Sequence, residues 1–210
     1  MGLFITIEGG EGSGKSTLIQ SLAKRFNEEG TPCIVTREPG GTLLGDKVRS
    51  LLLEASDHKI SPRAEVLLFL ASRAEHIEQV IKPALQKDKV VLCDRFIDST
   101  AAYQGYARGL GMDKMRTLSL FASDNLQPDI TLYLDIDPKS GLERARNVVK
   151  EELQDRFEAE ELAFHDKVRR GFLTLADQNS DRIHVLDASL PAETVLENAL
   201  KVVHGFQTVG

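Results

Sequence analysis

The sequence predicts an α/β fold, a five-stranded parallel, doubly wound sheet with helices on both faces, and three observations support that expectation. Apolar runs of strand length recur at Leu3 to Ile7, Cys33 to Thr36, Val90 to Cys93, Ile130 to Asp135 and Ile183 to Leu186. They are continuous rather than alternating, as strands buried on both faces require. Longer helix-compatible segments lie between them and supply the crossovers that parallel strands need. The chain of 210 residues is 41% hydrophobic and 28% charged, enough for one well-buried domain. No internal repeat or low-complexity linker divides it, so residues 1–210 are read as a single domain.

The first strand runs into a glycine-rich turn, and Gly9, four residues, then Gly14-Lys15-Ser16 satisfies G-x-x-x-x-G-K-[ST]. The apolar run before it and Leu18-Ile19-Gln20-Ser21-Leu22 after it are the strand and helix that the motif needs. Gly10, Gly12 and Gly14, with Glu11 and Ser13 between them, can turn backbone N–H groups inward around an anion. The following helix N-terminus adds its partial positive charge. Lys15 is placed to reach the β- and γ-phosphates of a nucleoside triphosphate. Ser16 offers a hydroxyl to Mg²⁺, and Thr17 closes the loop.

In such sheets ligands lie beyond the carboxyl ends of the strands, so the residues just after each apolar run are the candidates for function. After the second strand comes Arg37-Glu38-Pro39-Gly40-Gly41-Thr42, a charged pair and a stiffened bend. The Glu38–Pro39 bond is expected to be cis, since only proline makes that isomer accessible. Thr42 to Glu54 can form a helix carrying Arg49. A long helix is expected from Pro62, which suits a first turn, to about Gln86, ending or kinking before Pro83. On it Phe69 and Arg73 are four apart and share a face, so a ring and a guanidinium could together meet a nucleobase; a core Phe with a surface Arg is the plainer alternative.

The third strand ends Val90-Val91-Leu92-Cys93-Asp94-Arg95, apolar residues and then an acid, the pattern of a carboxylate set near the Mg²⁺ of a phosphate-binding-loop site. Arg95 beside it would hold phosphate. Thr100 and Gln104, four apart, could read a base edge. Beyond the fourth strand, Pro138 opens a helix with Arg144 and Arg146, followed by the charged stretch from Lys150 to Glu158 that includes Arg156. A solvated helix face is the usual meaning of such a run; the competing reading, since the phosphate loop contains no arginine, is a lid at about 144–158 that supplies the cation neutralising a transferring phosphoryl group. Asp187 to Pro191 then leads into a last helix, at about Ala192 to Val203, near where an adenine could lie.

The formal net charge of −6 and pI of about 5.4 give no general attraction to nucleic acid or to anionic lipid. No leader pattern is visible at the N-terminus and no apolar run approaches membrane-spanning length, so a cytoplasmic protein is expected. Cys33 and Cys93 read as reduced, small hydrophobes. The five histidines show no metal-ligand spacing and read as structural or surface residues.

Six segments together carry a family resemblance: Glu8 to Ser16, Arg37-Glu38-Pro39-Gly40-Gly41-Thr42, Arg49-Ser50-Leu51-Leu52-Leu53, Leu68-Phe69-Leu70-Ala71-Ser72-Arg73, Asp94-Arg95-Phe96, and Ala102-Tyr103-Gln104-Gly105. From Ile5 to about Val203 the chain resembles bacterial thymidylate kinase, of the P-loop nucleoside monophosphate kinases. The resemblance implies transfer of the γ-phosphoryl group of ATP to dTMP, giving dTDP and ADP with Mg²⁺, in a homodimeric cytoplasmic enzyme of nucleotide synthesis. It implies thymine stacking on Phe69, a donor to a thymine carbonyl in Arg73, and Thr100 and Gln104 on the opposite side of the base. Tyr103 would crowd the sugar 2′ position. Arg37, Arg49 and Arg95 would surround the acceptor phosphate, with Glu11, Glu38 and Asp94 as candidates for the sugar hydroxyl and the Mg²⁺ shell. Arg144 would meet ATP, and Arg146 or Arg156 would be the lid cation. The chain departs from the family in the lid, which reads Asn147-Val148-Val149-Lys150-Glu151-Glu152, and at Phe96, where tyrosine or histidine is common. A different P-loop nucleoside or nucleotide kinase is the nearest alternative. A regulatory nucleotide switch is disfavoured, since the chain contains neither N-K-x-D nor D-x-x-G after the loop.

Overall fold

The structure, a computed structural model, describes residues 2–53, 60–148, 157 and 160–209. Five strands, β1 (Leu3–Gly9), β2 (Cys33–Arg37), β3 (Val90–Asp94), β4 (Ile130–Asp135) and β5 (Ile183–Asp187), form one sheet in the order β2-β3-β1-β4-β5. Every pairing is parallel, with Ile5 opposite both Leu92 and Ile130. Each predicted strand is present, most with one or two further residues at an end. β1 lies at the centre, and all seven of its residues are buried.

Helices cover both faces. On one side α1 (Lys15–Glu28) and α9 (Ala192–Val209) pack Leu18, Ile19, Leu22, Phe26, Val195 and Val203 onto Ile5, Ile7 and Leu132. The spacing of Leu18, Leu22 and Phe26 places them on one helical stripe, which is why α1 lies flat on the sheet. Each fully buried Leu or Ile contributes roughly 1.5–3 kcal/mol relative to exposure. On the other side lie α3 (Pro62–His76), α4 (Lys82–Leu85), α5 (Ile97–Thr100), α6 (Met112–Ala122) and α8 (Leu162–Gln178), while α2 (Leu43–Leu53) packs on α3. Helix α7 (Pro138–Val148) starts just beyond the end of β4.

The single helix expected from Pro62 to about Gln86 is interrupted by a π-helical turn at Ile77–Ile81, ahead of Pro83. Pro83 has no N–H to donate and its ring would clash with the preceding turn of an α-helix. The widened turn, closed by Lys82 N–H donating to Ile77 O, lets the chain pass it without breaking. Ser61 caps α3, its Oγ accepting from Ala64 N–H, and Pro62 occupies the first turn as expected. A second π turn, Ala101–Ala107, follows α5 and carries Tyr103 and Gln104. The Glu38–Pro39 bond is cis, as predicted. Cys93 is buried and Cys33 partly so; both are free thiols raised above their usual range by burial, Cys33 to about 11.

Candidate active site

A cavity of about 900 Å³ opens along the carboxyl edge of the sheet. Its two ends are built differently. One end is the loop between β1 and α1. Gly9, Gly12 and Gly14 adopt φ of 153°, 65° and 91°, and Gly14 is the N-cap of α1. At Gly12 a glycine is required twice over: its φ is left-handed, and a Cβ there would lie 1.9 Å from Gly141 O at the base of α7. Lys15 Nζ donates to Gly10 O at 2.8 Å and to Gly9 O at 3.2 Å, folding the lysine into the loop's own mouth. Burial lowers the Lys15 ammonium below its ordinary value.

The other end is lined by Glu38, Arg49, Phe69, Arg73, Thr100, Tyr103 and Gln104. Here side chains hold side chains. Arg73, 1% exposed, donates from Nε to Glu38 Oε2 at 2.8 Å, from Nη1 to Ser119 Oγ and from Nη2 to Thr100 Oγ1 at 3.0 Å each. Its guanidinium also stacks on Phe96, 5.0 Å from the ring centre. Glu38 Oε1 lies 3.1 Å from His76 Nδ1, and Thr36 Oγ1 is 2.6 Å from His76 Nε2. A buried guanidinium is tolerable only with such a partner set. Phe69 forms one side of the pocket, and Phe157 faces it with ring centres 6.2 Å apart.

Arg95 stands between the two ends. It sits at φ 67°, its N–H bonded to Ile7 O, and reaches Gly9 O at 3.0 Å through Nη1 and Glu11 Oε1 at 2.7 Å through Nη2. Tyr103 Oη donates to the same Glu11 oxygen at 3.0 Å, and its ring lies under the Arg95 guanidinium. Burial alone would push the Glu11 carboxyl up; Arg95, Lys15 and the Tyr103 hydrogen bond overcome it and hold the group at about 2. Glu8, behind them, has the opposite fate. Burial and the nearby Asp98 push it up to about 7, although it accepts from Phe96 N–H, Ser99 N–H and Ser99 Oγ. Asp94 lines the cavity, and its Oδ1 is buried without a hydrogen-bond partner among the described residues.

The family model described as Thymidylate kinase matches residues 7–199. A thymidylate kinase of Protochlamydia amoebophila (strain UWE25) is 49% identical over 205 residues, covering 95% of this chain and 91% of that protein. One of Bacillus cereus (strain Q1) is 45% identical over 202 residues, covering 96% and 97%. The chain belongs to the thymidylate kinase family. The crystal structure of thymidylate kinase from Ehrlichia chaffeensis superposes with a TM-score of 0.76 at 36% identity, covering 96% of this chain and 98% of that one, and shares its P-loop kinase fold.

Against the thymidylate kinase pattern, the cavity gathers Glu11 to Thr17, Glu38, Arg49, Phe69, Arg73, Asp94, Arg95, Thr100, Tyr103, Gln104 and Arg144. Three of the expected residues lie off its wall. Gly10 does not line this cavity; it supports it, its carbonyl accepting from Lys15 Nζ and Ser13 Oγ. Arg37 also lies outside the wall: alternation along extended backbone turns Glu38 inward and Arg37 toward solvent, where it meets Asp46 at 3.7 Å. Arg146 is exposed and off the wall as well, because residues two apart on α7 point to opposite sides and Arg144 takes the inner one. Arg144 Nη1 donates to Ala188 O at 2.8 Å, joining α7 to the segment after β5, where Ala188, Leu190 and Val195 complete the donor end. Arg156 and most of 144–158 lie outside the described residues. Sequence reasoning missed Ser99, Ser119, His76 and Phe157. Each acts through a partner far away in the chain, and no local motif announces it.

Proposed function

We propose that this chain transfers the γ-phosphoryl group of ATP to dTMP, giving dTDP and ADP, as a step of dTTP synthesis. The observation that carries the reading is one cavity with a phosphate-binding loop at one end, a pocket lined by Phe69, Arg73, Thr100 and Gln104 at the other, and Arg95 between them, bonded to the loop and stacked on Tyr103. Phosphoryl transfer asks the protein for alignment and charge neutralisation more than for covalent chemistry. The loop amides and Lys15 would hold the donor phosphates, Lys15 leaving the loop carbonyls for them. Arg95 and Arg49 would hold the acceptor phosphate in line. Phe69 would stack on the thymine, Arg73 would donate to a base carbonyl with the hydrogens that Glu38, Ser119 and Thr100 leave over, and Tyr103 would crowd the sugar 2′ position. Ala188, Leu190 and Val195 would receive the adenine beside Arg144.

The residues present fit a Mg²⁺ ion. Asp94, whose Oδ1 is buried without a hydrogen-bond partner among the described residues, and Ser16 line the same cavity and carry the hard oxygen donors that this ion takes. Among the described residues no group of three or more His, Cys, Asp or Glu side chains could cage a metal, and an ion carried by nucleotide phosphates needs none. When bound, Mg²⁺ supplies neutralisation of the developing phosphate charge.

The segment 144–158 would serve as a lid, with Arg144 or Arg156 as the neutralising cation. A cytoplasmic homodimer fits the free thiols and the exposed Leu51, Leu67 and Phe121 of α2, α3 and α6, where α3 packs against both of the others. No helix among the described residues is long and apolar enough to cross a membrane. A coupled assay of ADP release with ATP and, in turn, dTMP, dUMP, dGMP and thymidine tests the reading. The highest kcat/KM should be with dTMP; equal rates with dGMP or thymidine would contradict it.

A further inference from the structure

Behind the base end of the cavity lies a buried carboxylate that no motif of the chain announced. Glu65 lies on α3 one turn before Phe69 and is 1% exposed. Gln104 Nε2 donates to Glu65 Oε1 at 2.8 Å, and Arg108 Nε donates to the same oxygen at 3.0 Å. Arg108 in turn reaches Glu160 at 2.8 Å and stacks on Phe164.

The consequence for Gln104 is chemical. An amide has one donating and one accepting end, whereas an ionised carboxylate only accepts. With Glu65 against it, the amide must give its NH₂ to the carboxylate. Its carbonyl oxygen, which takes no hydrogen bond from the described residues, is then the end left for the cavity that Gln104 lines. Thr100 is fixed in the complementary sense. Arg73 Nη2 occupies a lone pair of Thr100 Oγ1, so the hydroxyl hydrogen is left to donate. The pocket thus offers an acceptor at 104 and a donor at 100. Thymine carries an N3–H donor beside carbonyl acceptors. Cytosine carries an acceptor at N3 and an amino donor beside it, and would set acceptor against acceptor and donor against donor.

We propose that Glu65 is a positioning residue that determines base specificity: by fixing the Gln104 amide it selects pyrimidines with a protonated N3 and rejects cytosine. This rests on the reading of the acceptor as dTMP. A polar pocket that leaves its own groups unpaired with the wrong ligand discriminates far better than an apolar one. Glu65 does not line the cavity and would act on the base through Gln104.

The test compares kcat/KM for dTMP and dCMP in the wild type, in Glu65→Leu and in Glu65→Gln. In E65L no group at position 65 accepts from the Gln104 amide, which can turn either end to the base, and the dTMP-over-dCMP preference should fall at least tenfold with the KM for ATP unchanged. In E65Q the Arg108 guanidinium, which can only donate, keeps the amide oxygen where Glu65 Oε1 lies, and that oxygen still accepts from Gln104 Nε2. The preference should then stay within threefold of wild type. Retention of the preference in E65L, or its loss in E65Q, would overturn the proposal. Should E65L fail to melt cooperatively, Glu65→Gln/Arg108→Met, in which no cation orients the amide at 65 and the two amides can pair either way round, takes its place under the same tenfold criterion. A wild-type chain with no preference for dTMP over dCMP would instead overturn the reading of the acceptor itself.

Discussion

The two ends of the cavity recognise their ligands with different parts of the chain. The donor end is made of backbone: a contiguous stretch from Gly9 to Thr17 whose φ values and close approach to Gly141 define its shape. The acceptor end is made of side chains from α3, α5, the turn after it and α6, in which Arg73 alone joins groups 27, 35 and 46 residues away. A backbone site tolerates little at its glycines and depends on one lysine for charge. A side-chain site distributes its function over a network, and removing one member leaves others buried without a partner.

That contrast can be broken by mutation. The largest effect is expected at Lys15: K15A should lower kcat by about 10³-fold or more, since it removes the one cation of the loop; single-turnover kinetics measures this directly. Next comes R73A, which should raise the KM for dTMP by about 10²-fold, the loss of hydrogen bonds to a charged donor, with the KM for ATP little changed. The same variant should lose about 3–5 kcal/mol of stability, because Glu38 is left buried without its guanidinium. Urea denaturation read beside the kinetics separates this from K15A, whose stability should hold.

Between the two ends lies Glu8, whose carboxyl stands above its usual value at about 7 through burial and Asp98. A raised carboxyl contributes stability below its unfolded value and loses that contribution as pH rises through its folded one. The wild-type advantage over E8Q should therefore shrink by roughly 2 kcal/mol between pH 5 and pH 8, measured by denaturation at the two pH values. An advantage independent of pH would show that Glu8 stays ionised throughout. The smallest effects are expected on α7. R144M should lower kcat/KM for ATP by about tenfold through loss of a charge-assisted contact, while R146M, on the outer side, should stay near wild type. Reversal of that order would mean that α7 presents its other side to the nucleotide.

The same contrast explains which features were legible in the sequence. The five strands were visible because burial on both faces leaves continuous apolar runs, and the phosphate loop because its glycines, lysine and serine are consecutive. Phe69 with Arg73, and Thr100 with Gln104, were legible as pairs, since helical spacing brings them together. The phase of α7 was not, so Arg144 and Arg146 could not be told apart, and neither could the outward turn of Arg37 at the edge of the sheet. Glu65 gave no signal at all: its partner Gln104 is 39 residues away and only the folded chain brings them together.

The most direct test of the division between the two ends is calorimetric titration of dTMP into K15A without ATP. Binding within about threefold of wild type, in a protein that no longer turns over, is the predicted result; loss of dTMP binding together with turnover would contradict the account.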